Sequence, residues 1–239
     1  GGDIYFDANQ SGWSVSDVQM VVGHDSYSNF YGMSNISNTS LYYLNVSGWN
    51  DATYFAFANG CSSWGAEGNK YDNRKAWITG KYTATKTNYT LNSNGYYLFY
   101  ASKSDNNASI TTSSPAGYLG TSYSALNYTQ TVQQHLSTDG GNNYSASTAA
   151  LATVTVSSYK LDSKNTTTSS SGTITSGNSN TTCSAARTAT VTYTVSGVKA
   201  GYTFVGWYDG TTQKSTSTTY SYNATEAKTI TARFKENTY

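Results

Sequence analysis

Short runs in which apolar and polar residues alternate recur along the chain, and turn-forming Gly, Asn and Ser residues separate them. Ile4-Tyr5-Phe6, Val18 to Val22, Leu41 to Val46, Tyr54 to Ala58, Ala76 to Thr79 and Tyr96 to Tyr100 all read this way. Successive strand residues point to opposite faces, so each run predicts a β-strand with one buried face. Strands at such short spacing, with no helical pattern between them, predict a β-sandwich whose inner faces share one core. From Thr153 the runs become Thr-rich: Val154-Thr155-Val156, Thr188 to Ser196, Tyr202 to Tyr208 and Thr229 to Phe234. Two stretches break the pattern. Thr129 to Leu136 reads as a short helix, within a segment from Ser113 to Ala150 that also holds the sole proline, Pro115. Asn165 to Asn180 is nearly all Ser, Thr, Asn and Gly, which buries little apolar area and reads as a mobile loop. The change of pattern places a domain boundary near Ser147 to Leu151, giving domains 1–148 and 149–239.

Composition narrows the partners. Of 239 residues only 11% are charged and the net charge is +1, so no field exists to gather phosphates or anionic lipid. Nucleic acid and membrane surfaces are poor candidates on that ground, and neither nucleic acid binding nor membrane insertion is expected. An aromatic content of 15%, with 23 Tyr and 5 Trp, supplies too much apolar area for a disordered chain. No apolar run approaches the roughly 18 residues needed to span a bilayer, and no leader is evident, so the chain reads as soluble and as either a piece of something larger or already processed. Cys61 and Cys183 fall in different predicted domains and read as two separate buried thiols.

Catalysis needs titratable groups in pairs. The chain has two histidines, His24 and His135, and 13 acidic residues scattered singly, with no pair that sequence alone assigns to a glycosidase cleft. No His/Cys/carboxylate cluster has zinc spacing and no Asp/Asn run matches a calcium loop, so no catalytic residue, metal or cofactor is expected. Asp25, Asp72 and Asp139 read as turn residues. His24, ending a strand beside Asp25, reads either as a sugar contact or as a surface turn residue. Sugars, in contrast, are recognised by aromatic rings against their CH faces and by amides, carboxylates and amines at their hydroxyls, a mixture this sequence has in quantity.

The opening Ile4-Tyr5-Phe6-Asp7-Ala8-Asn9-Gln10-Ser11-Gly12-Trp13 resembles that of bacterial starch-binding modules of carbohydrate-binding family 26. The resemblance continues through Val18 to Gly23, Phe30-Tyr31-Gly32-Met33, Leu41 to Trp49 and Tyr54 to Gly60, covering about the first sixty residues. It implies a β-sandwich holding an α-1,4-glucan against a small group of rings. The chain departs from the family on the second strand, where Gln19 and Val21 stand in place of stacking tyrosines; Phe30 or Tyr31 corresponds to the tryptophan of the following turn. An alternative platform is the insertion Cys61 to Trp77, where Trp64, Lys70, Tyr71, Asn73 and Trp77 interleave rings with polar groups, beside Glu67 and Asp72. Either Trp64 or Trp77 reads equally as a core residue. Trp13 and Trp49 read as structural, and Tyr27 and Tyr31 are the further candidate contacts. Each stacked ring contributes roughly 1–2 kcal/mol by buried area, so two or three give micromolar to millimolar binding.

Gly201 to Gly210, with Gly206-Trp207-Tyr208, and Ile230 to Phe234 are similar to the small Ig-like or ubiquitin-like β-repeats of bacterial surface proteins. That resemblance implies a structural Trp207 and a spacer domain. The expectation is therefore an all-β, monomeric, non-enzymatic starch-binding piece of an extracellular, cell-surface protein that anchors a cell or enzyme to α-glucan. The alternative is an adhesin whose ligand is a protein.

Overall fold

The alternating runs are strands in the structure, a computed structural model that describes residues 2–10, 17–24, 27–46, 54–60, 94–100 and 117–238. In the N-terminal unit, residues 1–125, these are β1 (Gly2–Asp7), β2 (Val18–His24), β3 (Tyr27–Gly32), β4 (Ser34–Asn35), β5 (Leu41–Val46), β6 (Tyr54–Asn59), β7 (Tyr96–Tyr100) and β8 (Tyr118–Gly120). The run Ala76 to Thr79 lies outside the described residues. One sheet has the order β4-β5-β1-β7-β8 and the other β3-β2-β6. β1 pairs parallel with β7 and antiparallel with β5. Ile4, Phe6, Tyr97 and Phe99 from the first sheet meet Val18, Met20 and Phe57 from the second. Phe6 stacks on Phe57 at 4.5 Å between centroids, closing a sandwich core between the two sheets.

The C-terminal unit, residues 126–239, is a second sandwich. Its strands are β9 (Asn127–Ser137), β10 (Ser145–Ala146), β11 (Thr153–Ser163), β12 (Thr166–Thr173), β13 (Asn180–Ala186), β14 (Thr190–Ser196), β15 (Tyr202–Asp209), β16 (Thr212–Ser215), β17 (Thr219–Asn223) and β18 (Lys228–Glu236). A six-stranded sheet runs β10-β9-β18-β15-β16, with β13 also paired to β9; a four-stranded sheet runs β12-β11-β14-β17. Val132, Trp207, Ile230, Ala232 and Phe234 of the larger sheet pack against Val154, Val156, Val191, Tyr193 and Val195 of the smaller. Trp207 is fully buried and its indole N–H donates to the Ser217 carbonyl at 2.8 Å. The preceding Gly206 sits at a bulge of β15, where a Cβ would lie 2.6 Å from the Ser215 carbonyl oxygen, so the Gly-Trp-Tyr element needs its glycine for close approach.

Three sequence expectations are corrected. The division between units falls between Ala125 and Leu126 rather than near 148, because the segment expected to close the first domain supplies the central strand of the second. That strand is β9, which includes the whole of Thr129 to Leu136, expected as a helix. Its inward positions are Gln130, Val132 and Gln134, so the period of two is present but hidden by amides at core-facing sites. The expected loop of Asn165 to Asn180 begins with a strand, Thr166–Thr173, paired along β11. A strand in this position needs ladder hydrogen bonds and β-prone Thr more than apolar area, and most of β12 is exposed. Asp139 is a turn residue as expected. Its carboxylate accepts from the Asn143 N–H and side-chain amide, the Ser137 hydroxyl and the Asn142 N–H, which holds its pKa at about 2.

Three outcomes follow from this packing. Trp207→Ala should destabilise the C-terminal unit by about 3–5 kcal/mol in urea unfolding, the range for removing a buried aromatic ring. Because Asp139 is depressed in the fold, its contribution is present above its unfolded value of about 4 and lost as pH falls through about 2. Asp139→Ala should therefore flatten the fall in stability across that window, and an unchanged slope would contradict the turn's role. Cys183 is buried, which pushes its thiol up to about 11, so in a Cys61→Ser background it should resist a thiol reagent at pH 8 until the chain is unfolded.

Candidate functional site

Of the residues singled out for ligand contact, Trp64, Lys70, Tyr71, Asn73 and Trp77 lie outside the described residues. So do Trp13, Asp25, Trp49, Cys61, Glu67 and Asp72. Tyr27 opens β3 opposite His24, the last residue of β2; the side chains of both are outside the described set. Tyr31 pairs with Met20 across the strands, is half-buried and packs against the N-terminal core, so part of its ring area is spent on the fold. Gln19 and Val21, at the positions of the family's stacking tyrosines, are buried. The described strands thus do not gather the expected contacts into one site.

They assemble a different set of rings. In β1, Ile4 and Phe6 face the core, which turns Asp3, Tyr5 and Asp7 to the other face of the five-stranded sheet. Tyr43 and Asn45 on β5 and Tyr96 on β7 share that face through the registers Tyr5 to Tyr43 and Asp3 to Asn45 and Tyr96. Tyr5 lies 5.3 Å from Tyr43 and 6.2 Å from Tyr96 between centroids, and Tyr123 meets Tyr96 edge-on at 6.3 Å. Asp3 is the polar anchor: the Tyr43 hydroxyl and the Asn45 amide, at 3.0 Å, both donate to its Oδ1. Burial, with the neighbouring Asp3 carboxylate, raises the Tyr5, Tyr43 and Tyr96 phenols, so all stay protonated at neutral pH. Tyr5 and Tyr43 form the buried floor, and Tyr96 and Tyr123 are half-exposed. Tyr100 and Tyr118, on β7 and β8, are 46% and 42% exposed. The signal for this cluster was present in the sequence, since Ile4-Tyr5-Phe6, Leu41-Tyr42-Tyr43-Leu44 and Tyr96 to Tyr100 carry large side chains at both parities of the strand.

A second concavity, of about 680 Å³, opens on the outer face of the six-stranded sheet in the C-terminal unit. Gln133 and His135 of β9 face it, with Thr231 and Arg233 of β18 beside them in register. At one end Lys228 Nζ pairs with Asp209 at 2.6 Å. The Arg233 guanidinium lies over the rings of Tyr208 and Tyr144, at 4.0 and 4.6 Å. Burial, then the Arg233 charge, lowers the His135 pKa, which keeps its imidazole neutral. Among the described residues no group of three His, Cys, Asp or Glu side chains could hold a metal ion.

No protein-family model matches the chain, and no curated protein matches it. Among solved structures, the Bacillus anthracis TIE protein is similar at 8% identity and a TM-score of 0.24, covering 98% of this chain, which spans 34% of that protein. A C-terminal fragment of the pilus adhesin SpaC from Lactobacillus rhamnosus GG is 12% identical at a TM-score of 0.28, with 98% of this chain and 96% of the fragment covered. A leucine-rich repeat protein from Bacteroides thetaiotaomicron is 11% identical at a TM-score of 0.20, with 99% of this chain and 27% of that chain covered. Scores this low assign the chain neither a family nor a function.

Proposed function

We propose that the chain binds carbohydrate without performing chemistry, and that its ligand is an α-1,4-glucan such as starch. The observation that carries the reading is the tyrosine face around Asp3: protonated phenols, ring surfaces, a carboxylate and an amide converge on one side of a sheet. The half-exposed rings of Tyr96 and Tyr123 take the CH faces of a sugar and the exposed Asn45 amide takes its hydroxyls, over a buried floor of Tyr5, Tyr43 and Asp3 that holds them in place. The choice of glucan rests on the resemblance of residues 4–60 to family 26 modules. On this reading the C-terminal sandwich is a spacer at a bacterial cell surface, and neighbouring modules on a longer polypeptide would raise retention on insoluble starch through effective concentration.

Calorimetric titration of the full chain tests this, with maltoheptaose against a cello-oligosaccharide of equal length. Heat is expected with the malto-oligosaccharide alone, at micromolar to millimolar affinity. Tyr96→Ala, which removes a half-exposed ring, should weaken binding by about tenfold, the equivalent of 1.4 kcal/mol. Unchanged affinity in Tyr96→Ala with loss in Trp64→Ala/Trp77→Ala would move the site to the insertion Cys61 to Trp77. Silence with both sugars would refute the glucan reading and favour a protein-binding adhesin.

A further inference from the structure

The C-terminal groove has a chemistry that the starch reading does not use and that does not depend on that reading. The core-facing positions of β9 and β18 are Val132, Ile230, Ala232 and Phe234, so Gln133, His135, Thr231 and Arg233 are left on the outer face by parity alone. Both strands are interior to their sheet, which puts β10 on one side of the Arg233 row and β15 on the other. Tyr144, just before β10, and Tyr208 of β15 therefore reach the guanidinium from opposite flanks. A guanidinium held over two rings is oriented before any ligand arrives, so less freedom is lost when its planar fork engages one.

Among the described residues this arginine lacks an anionic partner. The two carboxylates that line the groove, Asp209 and Glu226, both act on Lys228, which pairs directly with Asp209. Among the described residues no carboxylate pairs with Arg233, and its buried Nε has no hydrogen-bond partner. Buried donors are normally satisfied, and a guanidinium fork is best satisfied by a carboxylate. The groups around it are side-chain hydroxyl, amide and imidazole: Thr231, Gln133 and His135. An extended acidic peptide would call for open backbone at a sheet edge, and the floor of this groove is interior strand whose backbone is already paired. Side-chain donors and acceptors spread over a flat polar floor suit the hydroxyls of a sugar ring, and the volume lies within the range of small-molecule sites.

We propose that this groove is a binding site for a carboxylated sugar unit of the uronate class, with Arg233 engaging the carboxylate and Gln133, His135 and Thr231 the ring hydroxyls.

The test is calorimetric titration of the full chain with a galacturonate trimer and a glucuronate trimer, their methyl esters, and maltotriose as the neutral control. At least one acid trimer should bind, and its ester should not. Arg233→Lys keeps the charge and loses the planar fork, so it should bind about tenfold more weakly. Gln133→Ala, at a half-buried surface position that leaves the core untouched, should also weaken the response, which guards against misfolding of the arginine variant. Tyr96→Ala should leave uronate binding intact, so failure here and failure of the glucan reading separate cleanly. The proposal is overturned by silence with both acid trimers, by equal heat from ester and acid, or by unchanged affinity in Arg233→Lys. An Arg233-dependent response to tetraglutamate with none to either uronate overturns it in favour of an acidic peptide.

Discussion

Two glutamine amides turned into a hydrophobic core constrain the C-terminal sandwich. An amide buried without partners costs several kcal/mol, so Gln130 and Gln134 of β9 are tolerable only where the surrounding chain supplies what water no longer does. Gln130 donates to the Glu226 carbonyl at 2.8 Å and accepts from the Tyr222 hydroxyl, which in turn lies 2.6 Å from the Tyr193 hydroxyl. Gln134 donates through Nε2 to the carbonyls of Ser147 and Ala149 at 2.9 and 2.7 Å, so its nitrogen is satisfied while its buried Oε1 has no hydrogen-bond partner among the described residues. These bonds tie the chain before β11 and the turn before β18 to the central strand. They also fix its parity, because a one-residue slip would move both amides to the outside and abandon every one of those partners. With parity fixed, Gln133 and His135 are committed to the groove.

The N-terminal unit meets the opposite problem. Its central strand β1 is buried along its whole length, so both faces of the five-stranded sheet need cover. The inner face is served by the sandwich core, and the outer face carries tyrosines organised on a carboxylate. A phenylalanine cluster there would be pure core. Tyrosine lets Tyr5 and Tyr43 contribute ring area to the fold while the Tyr43 hydroxyl satisfies the buried Asp3 carboxylate, which leaves Tyr96 and Tyr123 as the rings with exposed surface. The two candidate sites share a design suited to a chain with few charged residues: each places one carboxyl or guanidinium side chain, Asp3 or Arg233, among aromatic rings and neutral hydrogen-bonding groups.

Much of this was legible in advance. Leu41 to Val46 and Tyr96 to Tyr100 are strands with the bounds their alternation gives, and Trp207 in its Gly-Trp-Tyr element fills the core, the role expected from its resemblance to surface β-repeats. The misreadings have one origin. Hydrophobic periodicity reports a strand only when its inward positions are apolar, and β9 places glutamines there while β12 needs almost no apolar residues at all. Misassigning β9 as a helix also displaced the domain boundary, because a central strand was credited to the wrong unit. The tyrosine face was not legible in the same way, because Tyr5, Tyr43 and Tyr96 are far apart in the chain and meet only through strand pairing; the rings of Cys61 to Trp77 lie outside the described residues.

The sequence by itself therefore determined the class of the fold, the position of half of the described strands and the low net charge, since these depend on local alternation, turn residues and composition. Tertiary structure alone decided which face each strand turns inward when both parities are bulky or polar, where one sandwich ends and the next begins, and which distant side chains become neighbours. Those outcomes depend on register and on the partners available to buried polar groups, and both are properties of strands brought together from distant parts of the chain.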